Sequence, residues 1–239
     1  MMEVLGIEVD ENILKMVLFS NDLFKKYSKK RVLPAKKVID SFATDYRSFI
    51  YIKEGLVSVS INLENNSDSF SKSRTISFSG HGEFVGFFSL LGDSKNDFQL
   101  ETVSEVTAYF IDLSFVLRVI EKSGWSTSIL LKEIDKLTHF LNLDSRIRLL
   151  SIEKRLAVSL LYLESKSRGE IEGLLPEGVS QYHIANYCQA SREYIALLLA
   201  KFESEGLIQS RPKPIKILDR ERLEKRAGIS NISFIRSIF

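Results

Sequence analysis

The chain of 239 residues has a single cysteine, Cys188, so it cannot close an internal disulfide or supply the several thiolates of an iron–sulfur cluster. Its three histidines, His81, His139 and His183, stand far apart without metal-ligand spacing, and read as polar surface or satisfied core residues. No apolar run approaches the roughly 18 residues of a membrane span. The first ten residues already carry acids and lack the basic-then-apolar order of a signal peptide, which makes a cytoplasmic chain without membrane contact the expectation. Nothing in the residue pattern pairs a histidine with a nucleophile or builds a phosphate-binding loop, so no enzyme is expected. Strong charge of one sign is also missing: the net is +2.

The chain has an apolar fraction of 44% and a charged fraction of 27%, a balance that specifies a packed globular chain rather than a disordered one. The small net charge hides an asymmetry. Residues 1–150 hold 19 Lys and Arg against 20 Asp and Glu, whereas residues 151–239 hold 14 against 11. A modestly basic C-terminal part suits a polyanion partner.

Three textures follow one another. Residues 1–30 read as helical, with Leu14, Val17 and Leu18 as a short apolar stripe; Lys25, Lys26, Lys29, Lys30 and Arg31 form a basic cluster that reads as a solvated face. Residues 32–112 carry short β-rich runs at 49–52, 56–61, 75–78 and 106–111, separated by turn-rich breaks such as 54–55, 65–68, 79–82 and 92–93. Many short strands of this kind make a roll, sandwich or barrel. Residues 113–166 turn helical. Leu130, Ile134, Leu137 and Leu141 step by four, three and four, an apolar seam that fits its own domain or a second subunit equally. Leu156, Leu160 and Leu163 mark a further helix over 152–165. Residues 167–178 read as a loop with a short strand at 171–175, and Ile232, Phe234, Ile235, Ile238 and Phe239 as a cover for part of the last domain.

The most informative stretch is 179–208. Ser180 suits an N-cap for a helix over 181–188, whose Ile184, Ala185 and Tyr187 face inward. Gln189 and Ala190 make a short turn. Ser191 caps a second helix with Ile195, Leu198, Leu199 and Phe202 as its buried stripe, and Gly206 ends it. Two helices joined this way make a geometry that can place the second in a DNA major groove, and such a capped amphipathic pair is equally common in proteins that read no DNA. Its exposed first turn carries Ser191, Arg192 and Glu193: arginine donates two bonds to guanine, glutamate accepts one from cytosine, and a capped helix N-terminus holds a phosphate. Arg211, Lys213 and Lys216 follow where a short hairpin would meet a DNA backbone, with Lys213 between Pro212 and Pro214 in a tight extended turn.

The block ASREYIALLLAKFESEGLI resembles the recognition helix and following turn of the CRP/FNR regulators, the cyclic-AMP-receptor-like family. PAKKVIDSFATDYRSFIYIKEGLVSVS, HGEFVGFFSLLGDS and SEVTAYFIDLSFVLRVI resemble the strands, the phosphate-cassette segment and the last strand and helix of that family's cyclic-nucleotide-binding fold, in the right order over roughly residues 20–220. The resemblance implies an α+β fold: an N-terminal antiparallel β-roll, jelly-roll-like, over 1–120; a long dimerisation helix over 121–150; and a winged helix-turn-helix over 151–239. It implies a homodimer on double-stranded DNA, with RNA polymerase as a further partner if the protein activates. It assigns DNA contact to Ser180, Gln181, Ser191, Arg192, Glu193, Arg211, Lys213 and Lys216, and an effector site to Gly82, Glu83, Gly86, Phe87 and Lys95.

Departures narrow it. In cyclic-AMP binders a glutamate follows the cassette glycine and grips the ribose; here Phe87 follows Gly86, and residues 93–100 hold no arginine for the cyclic phosphate, only Lys95. Neither cyclic AMP nor an iron–sulfur cluster is expected, no other cofactor is implied, and nothing local supports haem on His81. Cys188 reads as buried filler. Ala43 stands where the family usually has a turn glycine, and Leu197 where cyclic-AMP receptors place a second base-reading arginine, which implies a different operator. The competing reading is a small-molecule- or protein-binding module whose helix-turn-helix contacts protein.

Overall fold

The computed structural model describes residues 13–39, 48–63, 72–85, 98–167 and 171–228. Two short helices, α1 (Ile13–Phe19) and α2 (Phe24–Tyr27), lead into β1 (Ser28–Leu33), β2 (Val38–Ile39), β3 (Ser48–Glu54), β4 (Val57–Leu63), β5 (Lys72–Ser79), β6 (Phe84–Val85), β7 (Phe98–Thr102) and β8 (Val106–Asp112). These form two antiparallel four-stranded sheets, ordered β1-β8-β3-β6 and β2-β7-β4-β5. The period-two alternation decides what each face meets. Ile50, Ile52, Val106 and Ala108 of the first sheet pack on Val57, Val59, Ile76 and Leu100 of the second. On the other side of the first sheet, Phe49 and Ile111 pack with Leu14, Leu18 and Phe24 of the leading helices and with Phe115 and Val116 of α3 (Leu113–Lys122).

The strand that opens the roll begins at Ser28, four residues before the expected change of texture at 32. The basic cluster therefore splits: Lys25 and Lys26 end α2, while Lys29, Lys30 and Arg31 lie exposed on β1. That strand is a sheet edge, and charged side chains there oppose pairing with a stray strand. Gly55 shows why its turn needs glycine. Its φ is +91°, and a Cβ there would stand 2.1 Å from the Glu105 carbonyl oxygen.

Three helices occupy the expected helical stretch. Asp112 caps α3, accepting from the Phe115 N–H at 3.1 Å. After Gly124 (φ +75°) the long helix α4 runs over Ser126–Arg148. Leu130 (57% exposed) and Ile134 (50%) of its seam face outward, and the side chains of His139 and of Leu137 and Leu141, the remaining seam positions, lie outside the described residues. Ser151 caps α5 (Ile152–Ser165), whose residues 156–163 are all buried, not just the expected stripe. The reason is its central place: Phe78 of β5 lies against one side with Leu56 and Val103, and α6 (Gln181–Cys188), α7 (Arg192–Ser204) and α8 (Arg220–Ala227) pack around the rest.

The C-terminal domain and the roll share one core. Leu56, Phe78 and Val103 of the roll pack with Leu156, Leu160, Tyr162 and Ala185. The Tyr162 hydroxyl bonds to the Phe78 backbone, and Phe78, Tyr162 and Tyr187 make a cluster of rings. Arg74 of β5 reaches Asp144 of α4 at 2.9 Å, and Asp144 also binds Arg148. The short strands β9 (Ile208–Gln209) and β10 (Lys216–Ile217) form the hairpin wing. Residues 171–175 make no full strand; they join this wing by a bridge between Leu174 and Lys216 and by the Leu175 N–H on the Ile215 carbonyl. The cover expected at 232–239 lies outside the described residues. The cover that is seen is α8, which buries Leu223 and Ala227 in the core it shares with α5. Among the described residues no helix is long and apolar enough to cross a membrane, and no group of three or more His, Cys, Asp and Glu is placed to hold a metal.

Candidate nucleic-acid interface

Two capped helices and a wing build the site. Ser180 has extended backbone, and its Oγ accepts from the His183 N–H. The His183 ring answers: its Nδ1 accepts the Ser180 N–H at 3.1 Å, closing a capping box with histidine in the place usual for Glu or Gln. Burial, aided by the charge of Lys36, holds the His183 imidazole below its ordinary pKa, which favours the neutral ring that this bond requires. The role of His183 was missed in the sequence; the signal was its position three residues after the cap. Gln189 ends α6 in the left-handed region (φ 53°, ψ 51°), giving the sharp turn into α7. Ser191 Oγ then accepts from the Tyr194 N–H at 3.1 Å, and Glu193 in the same first turn complements the helix dipole.

Ile195, Leu198, Leu199 and Phe202 are buried as expected, which fixes the rotation of α7. Ser191, Arg192, Glu193 and Tyr194 are consequently exposed at its N-terminal end. Tyr187 of α6 is half-buried against Tyr162. The C-cap of α7 is Glu205, with Gly206 following at φ +72°. The wing is tied back to α7 by Glu203, which accepts from the Ser210 N–H (2.9 Å) and hydroxyl (2.7 Å). Those bonds hold its carboxyl below the usual range.

Between α7 and the wing lies a cleft of about 420 Å³ lined by Gln181, Ala196, Ala200, Glu203, Arg211 and Lys213. Three of the expected contact residues, Gln181, Arg211 and Lys213, thus meet in one place. Lys216 is exposed on β10, and Ser180 sits at the cap beside Gln181. The Arg211–Pro212 and Lys213–Pro214 peptide bonds are both cis. Lys201, by contrast, is turned to Glu153 at 3.0 Å, where Arg226 also binds, so this cation serves the domain's own packing.

The effector residues are only partly placed. Gly86, Phe87 and Lys95 lie outside the described residues, as does Ala43. Gly82 has φ +84°, at a turn where its N–H binds the Ile52 carbonyl at 2.8 Å. The Glu83 carboxylate accepts the Gly80 N–H at 2.8 Å and pairs at 2.5 Å with Lys166, whose side chain is only 3% exposed at the end of α5. It therefore links the roll to the C-terminal domain. His81 bonds through Nδ1 to the Lys53 carbonyl.

The profile of the Crp-like helix-turn-helix domain family matches residues 154–226. Comparison with curated protein sequences finds no match. Among solved structures, FixK2 from Bradyrhizobium japonicum is similar at 17% identity and TM-score 0.67, covering 85% of this chain and 98% of that one. A CRP-family transcriptional regulator from Thermus thermophilus is similar at 20% identity and TM-score 0.64, covering 83% and 97%. A cyclic nucleotide-binding domain containing protein from Listeria monocytogenes is similar at 19% identity and TM-score 0.63, covering 87% and 97%. The chain thus has the CRP/FNR regulator fold, with a cyclic-nucleotide-binding-like roll followed by a Crp-like helix-turn-helix domain.

Proposed function

We propose that this protein is a sequence-specific DNA-binding transcription regulator that acts as a homodimer on a palindromic site. The observation that carries the reading is the exposed Ser191-Arg192-Glu193 turn at a capped helix N-terminus, beside a cleft whose wing supplies Arg211 and Lys213. Arg192 and Glu193 would read base edges, Ser191 and Ser180 would set the protein on phosphates, and Gln181, Arg211, Lys213 and Lys216 would supply further contacts. The exposed Leu130 and Ile134 on α4 support a seam between two copies within the dimerisation helix assigned to 121–150. Two such subunits would present their recognition helices about 34 Å apart, one DNA turn. The roll over 1–120 would sense a small effector near Gly82, Glu83, Gly86, Phe87 and Lys95 and shift the dimer between DNA-competent and incompetent arrangements, with 151–239 as the reading domain. RNA polymerase is the natural further partner of an activator.

The test is a mobility-shift assay of the full chain against sites selected from random duplexes. Sequence-specific binding in which Arg192→Ala relaxes the preference at one base pair of each half-site supports the reading. No binding at low salt, or binding that ignores sequence in both proteins, overturns it and leaves protein contact as the use of the helix-turn-helix.

A further inference from the structure

The outward face of α7 changes character along its length. Its first turn is polar, with Arg192 and Glu193. One turn further, at the i+4 position from Glu193, stands Leu197, 68% exposed, followed on the same face by exposed Ala200; Tyr194 (44% exposed) flanks them. A single exposed leucine on a protein surface needs no explanation. This one lies on the face that the buried stripe of Ile195, Leu198, Leu199 and Phe202 turns outward, beside the proposed base-reading pair, and the nearby Lys201 does not compete for its place because Glu153 holds it. A branched apolar side chain in a major groove has one good partner, the C5-methyl group of thymine; guanine and adenine offer it polar edges, and cytosine a bare C5–H beside its amino group.

We propose that Leu197, with Ala200 behind it, selects thymine in each half-site, about two base pairs along from the pair read by Arg192 and Glu193. The offset follows from four residues of helix rise, about 6 Å, set against the roughly 3.4 Å rise of a base pair. This rests on the DNA-reading function proposed above and adds to it a specific base and a specific methyl group.

Sites are selected from random duplexes with the full-length protein and with Leu197→Ala. Each conserved thymine is then replaced by deoxyuridine, which removes only the methyl. For the wild type, one such replacement weakens binding roughly fourfold, the worth of about one buried methyl group. For Leu197→Ala the same replacement has no effect, and thymine is no longer selected there. Because Leu197 is exposed, the variant melts like the wild type, so a lost preference is not lost folding. If both proteins select the same sequence and neither responds to deoxyuridine, the thymine-reading role is overturned while DNA reading stands. If neither selects any sequence, the function itself is overturned.

Discussion

The Tyr162 hydroxyl sits between the N–H and the carbonyl of Phe78, 2.9 Å from each, accepting from one and donating to the other. Phe78 lies on β5, the edge of its sheet, so the tyrosine does for this residue what a neighbouring strand would do. The ring is completely buried and belongs to α5. One hydroxyl therefore joins the roll to the core of the C-terminal domain. Tyr162→Phe leaves a buried N–H without a partner and is expected to cost about 1–3 kcal/mol. Urea unfolding checks it: a lower midpoint with unchanged slope is the expected result. Tyr182→Phe, at an exposed ring, is expected to change nothing. Equal stability of all three proteins would contradict the assignment.

Two glycines press on the same turn of the roll from different directions. A Cβ on Gly55 would stand 2.1 Å from the Glu105 carbonyl oxygen, and one on Gly178 would stand 2.2 Å from that of Val103. Gly206 shares their positive φ but has nothing within 4 Å of its would-be Cβ. The three alanine variants separate conformational cost from collision. Gly206→Ala is expected to lose on the order of 1 kcal/mol, the cost of a left-handed non-glycine residue. Gly55→Ala and Gly178→Ala must also move backbone, and each is expected to lose clearly more. Gly178→Ala acts where the C-terminal domain touches the roll, so thermal melts resolving two transitions in that variant alone would show the domains partly uncoupled.

Cys188 is buried with its Sγ 3.0 Å from the Ser159 hydroxyl, and burial pushes its thiol up to about 11. Burial likewise raises Tyr162 and Tyr187 above their ordinary value. In all three the fold favours the neutral form. Their contribution to stability is therefore complete below the unfolded pKa values, near ~8.5 for the thiol and ~10 for the phenols, and is lost as pH rises through the folded ones. Melting temperature is expected to hold steady between about pH 7 and 8 and to fall from about pH 9 towards 11. At about pH 8 a disulfide reagent is expected to label Cys188 in urea at once but in the native protein only at the rate of unfolding. Rapid stoichiometric labelling of the native protein would exclude this buried thiol.

Periodicity and capping made much of this chain legible. The stripe of Ile195, Leu198, Leu199 and Phe202 and the Ser191 cap set the rotation of α7, and with it which side chains face outward. The same local logic failed where tertiary contacts decide. Nothing near Lys166 announces Glu83, 83 residues away, and the Ser-x-x-His spacing at 180–183 is not the usual capping-box pair. The complete burial of residues 156–163 depends on the roll and the last helix closing over α5 from both sides, a long-range arrangement that a single-helix pattern does not encode.

The cations of the wing would act on the phosphate backbone rather than on base edges. Arg211, Lys213 and Lys216 are exposed, and no reading of base identity is assigned to them. If they meet phosphates, each releases counterions on binding, and log K against log salt steepens by about 0.9 for each phosphate neutralised. Arg211→Ala, Lys213→Ala and Lys216→Ala are each expected to weaken binding to all sequences alike and to reduce that slope by roughly 1. Arg192→Ala is expected to act differently: it relaxes preference at one base pair, because its bonds go to a base edge. Lys225 is the control. It is also exposed, but its ammonium is held by Glu221 at 2.7 Å within α8, so Lys225→Ala should leave the slope where it was. Fluorescence anisotropy titrations between about 50 and 200 mM salt, on a selected and a scrambled duplex, measure both quantities. Slopes unchanged in all three wing variants would remove the wing from the interface and confine DNA contact to the two helices.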